Sequence, residues 1–249
     1  MKKFRMNLVS LAILSLVCFS IHAQQKYLVH VDYVKPSMYD TYIETAKAFH
    51  DACNEHQPEV SWITVATSDY RMMYVSPMEN FAELDKNAFA GMAEKMGDKF
   101  GKLFSKFDEC YDRHSGYVIV LDEELSYMPD GVSPVVEGEN YRKFYMMYHT
   151  PSNHGKVKEA IKGVKKMFSD KGSKVYYRVY HSDFGAGEDY YMVAVSYVDP
   201  VDAANRGKAN NELLGEDAKA VFGKLMNSTE RFEEFTGWMK PDLYYSPKK

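Results

Sequence analysis

The chain has 249 residues, 45% hydrophobic and 27% charged, with 31 Lys and Arg against 35 Asp and Glu, a formal charge of −4. That composition suits a packed globular core, and its acidic balance, with no basic stripe, argues against nucleic acid as a partner. The length fits one large or two small domains.

Lys2, Lys3 and Arg5 precede an apolar run of twelve residues, Leu8 to Phe19, and Ile21-His22-Ala23 supplies a small residue at a cleavage position. This is the pattern of a secretory signal peptide over residues 1–23. Twelve apolar residues fall short of the roughly 20 that a membrane-spanning helix needs. Cleavage after Ala23 removes three positive charges and no negative ones, leaving 28 against 35, a charge of −7. The expectation is an exported protein, periplasmic or extracellular, with no membrane span after cleavage.

Beyond the leader the sequence repeats itself. Phe100-Gly-Lys-Leu103 recurs as Phe222-Gly-Lys-Leu225, and Asp69-Tyr70 as Asp189-Tyr190. Lys35-Pro36-Ser37 corresponds to Thr150-Pro151-Ser152, Gly116-Tyr117 to Gly237-Trp238, and Leu125 to Pro129 matches Leu243 to Pro247. Five matches in one order indicate duplication. The units run 24–129 and 141–249, joined by a Pro- and Gly-bearing linker at 130–140.

In chain order, each copy opens with a strand, Tyr27–Val34 and Arg142–His149. A helix follows, announced by Ser37 with Asp40 three residues on, a capping-box-like start. Its apolar positions Tyr39, Tyr42, Ile43, Ala46, Phe49 and Cys53 have helical spacing. A hairpin comes next, Val60–Ala66 with Tyr70–Ser76 and Val175–His181 with Tyr190–Tyr197. The second hairpin loop carries Gly185 and Gly187. Pro77 and Pro200 each start a short helical stretch. Longer helices then cover Gly97–His114 and Glu216–Phe235, before last strands near Tyr117 and Trp238.

The order βαββαβ is the ferredoxin-like unit, whose helices cover one sheet face and leave the other bare. The fold class is therefore α+β, two tandem ferredoxin-like units closing into a pseudo-dimeric α/β barrel. In topology and repeat spacing the chain resembles the fused form of the dimeric α/β-barrel superfamily, which includes antibiotic-biosynthesis-monooxygenase-like and NIPSNAP-like proteins. The resemblance implies a fold and a choice of activities, because fold does not select function. One reading is a protein holding a small apolar or aromatic ligand between the units. The alternative is a cofactor-independent monooxygenase-like or haem-binding enzyme, with His149 or His181 on the haem. A third is a structural homo-oligomer assembling through exposed sheet edges. No cofactor is specified.

Candidate site residues come from the strands. His30 and Asp32 share one face of the first strand, and Tyr145 and His149 the matching face of its copy. The opposite faces, Val29-Val31-Tyr33 and Phe144-Met146-Tyr148, are more apolar. If those cover the helices, His30, Asp32, Tyr145 and His149 point into the space between the units. There they form a hydrogen-bonded packing network, an acid–base pair or a ligand set. No metal centre is assigned, because three or four well-placed ligands are required. Arg71 and Arg178 each interrupt an apolar strand, so each is paired, faces a wet cavity that anchors an anion, or marks a strand end. Cys53 and Cys110 fall in apolar helix slots aligned with Phe168 and Phe232, and are expected as free buried thiols.

Overall fold

The computed structural model describes residues 25–248, so the leader-like segment lies outside the described residues. The first half supplies β1 (Lys26–Val34), α1 (Tyr39–His56), β2 (Ile63–Thr67), β3 (Arg71–Met78), α2 (Ala90–Met96), α3 (Asp98–Cys110) and β4 (Tyr111–Leu121). The second supplies β5 (Tyr141–Tyr148), α4 (His154–Lys171), β6 (Tyr177–Ser182), β7 (Tyr190–Tyr197), α5 (Pro200–Leu214), α6 (Asp217–Ser228) and β8 (Arg231–Met239).

The strands close into one ring in the order β1-β3-β2-β8-β5-β7-β6-β4. Every pairing in it is antiparallel. The halves join twice, by Val65–Met239 to Thr67–Gly237 between β2 and β8, and by Ile119–Ser182 to Leu121–Tyr180 between β4 and β6. Glycine is required where they meet. A Cβ on Gly237 would stand 2.9 Å from the Ala66 carbonyl oxygen, and one on Gly185 equally close to that of Gly116. Closure leaves no edge strand among the described residues on which the edge-mediated assembly could rest.

Which face of the first strand of each half turns inward is the reverse of the sequence expectation. Val29, Val31, Phe144, Met146, Tyr180 and Met192 pack together inside the ring, and Tyr33 and Tyr148 join them. His30, Asp32 and Tyr145 face the helices instead. An eight-stranded ring has an interior just wide enough for side chains, so the more apolar set fills it. The two helix layers are separate clusters, one around Tyr42, Met72 and Phe107, the other around Met147, Ile161 and Leu225.

The second helix of each half is shorter than its periodicity suggested. β4 starts at Tyr111, directly after α3, and β8 at Arg231, because both are needed for full-length ladders with β1 and β5. Cys110 therefore ends a helix while Phe232 lies on a strand, so the two are not counterparts. Pro77 sits inside β3, and the turn beyond it begins at Asn80, whose side chain accepts from the Ala82 N–H. Pro200 does open a helix, capped by Asp199. At α1 the cap position is Met38, preceded by a turn at Pro36–Met38, with no capping side chain.

Candidate functional site

The halves can be superposed by their ladders. Val34 N–H donates to the Tyr70 carbonyl as His149 N–H does to that of Asp189, and α1 and α4 are both 18 residues long. This register matches His30 with Tyr145, Asp32 with Met147, and Tyr42 with Val157. Tyr74, opposite His30, matches Val193, opposite Tyr145. His114, opposite Asp32, matches Phe232, opposite Met147. Five polar or ionisable groups in the first half thus face one polar ring and four apolar side chains in the second.

Strand geometry assembles the five. His30 and Asp32 are two residues apart and so point the same way. Tyr74 stands across from one on β3 and His114 across from the other on β4. α1 brings Tyr42 down from above. Its hydroxyl, fully buried, donates to Asp32 Oδ2 at 2.5 Å and lies 3.0 Å from the Tyr74 hydroxyl. His30 Nε2 lies 2.9 Å from Asp32 Oδ1. The His30 and His114 rings meet edge to face at 5.5 Å. Burial, then Tyr74 and Asp32, hold the Tyr42 phenol well above its usual value, so it remains a donor. Burial raises Tyr74 in the same way. Short bonds from a phenol to a carboxylate are among the stronger ones.

This cluster forms part of the wall of a cavity of about 810 Å³ between sheet and helices. The remaining wall includes an aromatic group, Phe49, Trp62, Phe89, Phe104 and Phe107, in edge-to-face and stacked contacts, among aliphatic and polar residues. Leu84 and Lys86 stand on the turn beyond β3 at the same cavity. That turn touches the other half, where the Phe81 ring meets Phe184 at 5.7 Å. In the second half the helices pack against the sheet around Met147, Ile161, Phe168 and Leu225.

The six sequence candidates scatter. Only His30 and Asp32 reach the cavity. Tyr145 lies on the outer face of β5 beside Phe232 and Lys143. His149 lines a smaller cleft of about 360 Å³ with His154, His181 and Asp189. Its Nδ1 is buried without a partner, and burial, then His154, push its pKa down. Arg71 opens β3 at one mouth of the ring, paired with Asp69 at 2.9 Å and lying over the Phe235 ring. Arg178 is inside the ring, donating to the Ser133 carbonyl at 2.7 Å and Ser196 Oγ at 2.8 Å. Arg142, also fully interior, donates to the carbonyls of Glu139 and Pro134, so both guanidinium groups hold the linker.

Tyr42, Tyr74 and His114 were missed. The signal was present, since aligning the copies replaces Tyr42 with valine at the same helix position. Hydrophobic patterning treats tyrosine as core, which concealed it. Among the described residues, Cys53 and Cys110 are free and fully buried, as expected.

No family model matches the chain, and no curated protein matches its sequence. Among solved structures, an anthrone oxidase-like protein superposes with a TM-score of 0.59 at 12% identity, over 88% of this chain and 92% of that one. A mutant chlorite dismutase from Candidatus Nitrospira defluvii gives 0.51 at 10%, over 87% and 92%. A heme-binding protein from Thermus thermophilus gives 0.50 at 12%, over 88% and 92%. At such identities the likeness is one of fold, the dimeric α/β barrel.

Proposed function

We propose that the first-half cavity takes up a small aromatic molecule bearing an ionisable oxygen, and that the protein oxidises it there as an oxygenase-type enzyme. One observation carries this reading. A buried carboxylate, two imidazoles and two phenols stand together beside a cluster of aromatic rings in one cavity wall, in one copy of the duplicated unit only. Apolar pockets with a few convergent polar groups are the usual form of small-molecule sites. The aromatic wall suits a flat apolar body, and the cluster receives the oxygen. The anthrone oxidase-like neighbour shares the fold and makes a hydroxylated polycyclic aromatic a sensible first probe. The leader-like N-terminus supports reading this as the activity of an exported protein.

Haem, which the Thermus neighbour binds, fits this cavity poorly. Its two propionates require cations, and the wall offers Lys86 against Asp32, Glu59, Glu83 and Asp108. His149 and His181 belong to the other cleft.

The test uses Trp62, buried at the cavity, in a Trp238→Phe variant that removes the other of the two tryptophans. Hydroxylated polycyclic aromatics should quench Trp62 saturably, and oxygen uptake should follow. Asp32→Asn should abolish uptake while quenching persists. Absence of saturable quenching across the panel would reject the cavity as the binding site; quenching without oxygen uptake would reject the oxidation.

A further inference from the structure

Two imidazoles and a carboxylate can meet an acidic oxygen either as bases or as ligands to a cation. The geometry points to the second: His30, Asp32 and His114 form a binding site for one divalent first-row transition ion. This inference deepens the reading of the first-half cavity and rests on it.

The distances support a shared ion. One potential ligand atom from each of the three side chains, an imidazole nitrogen from each histidine and a carboxylate oxygen from Asp32, lies within 4.8 Å of the other two. Two ligands about 2.1 Å from an ion and at right angles lie roughly 3 Å apart, and His30 Nε2 and Asp32 Oδ1 are separated by 2.9 Å. Two imidazoles with one carboxylate on one side of an ion is a set suited to iron, zinc and similar metals, and it leaves positions open. Here the open side is the cavity, where a phenolate oxygen would complete the set.

Three further features favour a cation over a simple base. Metal-binding carboxylates are themselves held by hydrogen bonds, and Tyr42 holds Asp32 Oδ2. The cavity wall carries four carboxylates and one lysine, a field that draws cations. The second half loses the ligand set as a unit, with Tyr145, Met147 and Phe232 in place of His30, Asp32 and His114. A packing network could lose its members singly, whereas a site for one ion has no use for a remainder.

Metal-stripped protein titrated with Co²⁺ tests the inference, read by visible absorption and calorimetry. One Co²⁺ should bind per chain with a ligand-field band. Asp32→Asn and His114→Ala should weaken binding by about tenfold or more, and Tyr42→Phe by about tenfold. His114 is exposed, so its variant tests ligation without disturbing the core. His154→Ala, in the other histidine cleft, should bind as wild type. No Co²⁺ binding, or binding lost with His154→Ala and kept in Asp32→Asn, overturns the inference. Trp62 quenching by the aromatic probe in stripped protein separates the two readings. Quenching without Co²⁺ binding removes the metal and leaves the cavity; Co²⁺ binding without quenching in either form removes the aromatic ligand.

Discussion

Tyr42 and Val157 each occupy the fourth position of the first helix in their half, and only Tyr42 reaches a carboxylate, Asp32 Oδ2 at 2.5 Å. Hydrogen bonds to charged groups contribute ~1.5–3 kcal/mol. Tyr42→Phe should lower unfolding free energy by that amount in urea titrations. Replacing both partners by the second half's residues, Asp32→Met with Tyr42→Val, should cost less than the sum of the single changes, since no buried group is then left unpaired. Additive costs would show that the pair is not coupled.

The His149 cleft should give the protein an acid-sensitive stability. Burial, with His154 and His181 nearby, holds the His149 pKa below its ordinary 6.5. The unfolded chain therefore binds the proton more readily, and stability falls as pH drops through 6.5, levelling off below the folded value. The carboxylates held low, Asp69 and Asp183 among them, titrate in a more acidic window. His149→Gln should flatten the fall of the melting temperature as pH drops through 6.5, without altering the acid limb. An unchanged slope would assign the effect to another group.

Thiol titration of the chain cleaved after Ala23, which no longer carries Cys18, should find no fast-reacting group in the native protein and two after unfolding. Burial pushes the Cys53 thiol up to about 12 and raises Cys110, so neither supplies thiolate near neutral pH. Rapid native labelling would mean that a helix layer opens. A mass two units lower with no reactive thiol would mean a bridge between them.

Arg178 and Arg142 are cations inside the ring with carbonyl and hydroxyl acceptors. Burial and mutual repulsion lower Arg142 to about 10, a cost tolerated for fixing the linker. Arg178→Met should speed proteolysis within residues 131–139 about tenfold, ~1.4 kcal/mol of local opening, with a smaller change in global stability. The opposite ranking would make Arg178 a core support rather than a tether.

Period-two patterning made the sharing of faces legible, and His30 and Asp32 do share one. Which face turns inward depends on ring closure, a property of eight strands together that no single strand encodes. The repeat was legible with a slip. By the ladders and helix ends, Phe222 corresponds to Phe104 and Phe100 to Ala218, so the Phe-Gly-Lys-Leu match lies four residues out of register. Four residues are close to one helical turn, and periodicity hides such a shift. Likewise Gly116 pairs with His30 while Gly237 pairs with Arg142, the counterpart of Tyr27, so that match reflects a chance glycine–aromatic pair. The cavity was not legible because it arises where α1, α2 and α3 fail to fill the space over one half of the ring.

Closing the ring within one polypeptide has a thermodynamic consequence. A barrel assembled from two chains melts at a temperature that depends on protomer concentration, because unfolding releases separate molecules. Here the contacts across β2–β8 and β4–β6 are intramolecular. Closing the ring therefore adds no concentration dependence of its own to the unfolding midpoint.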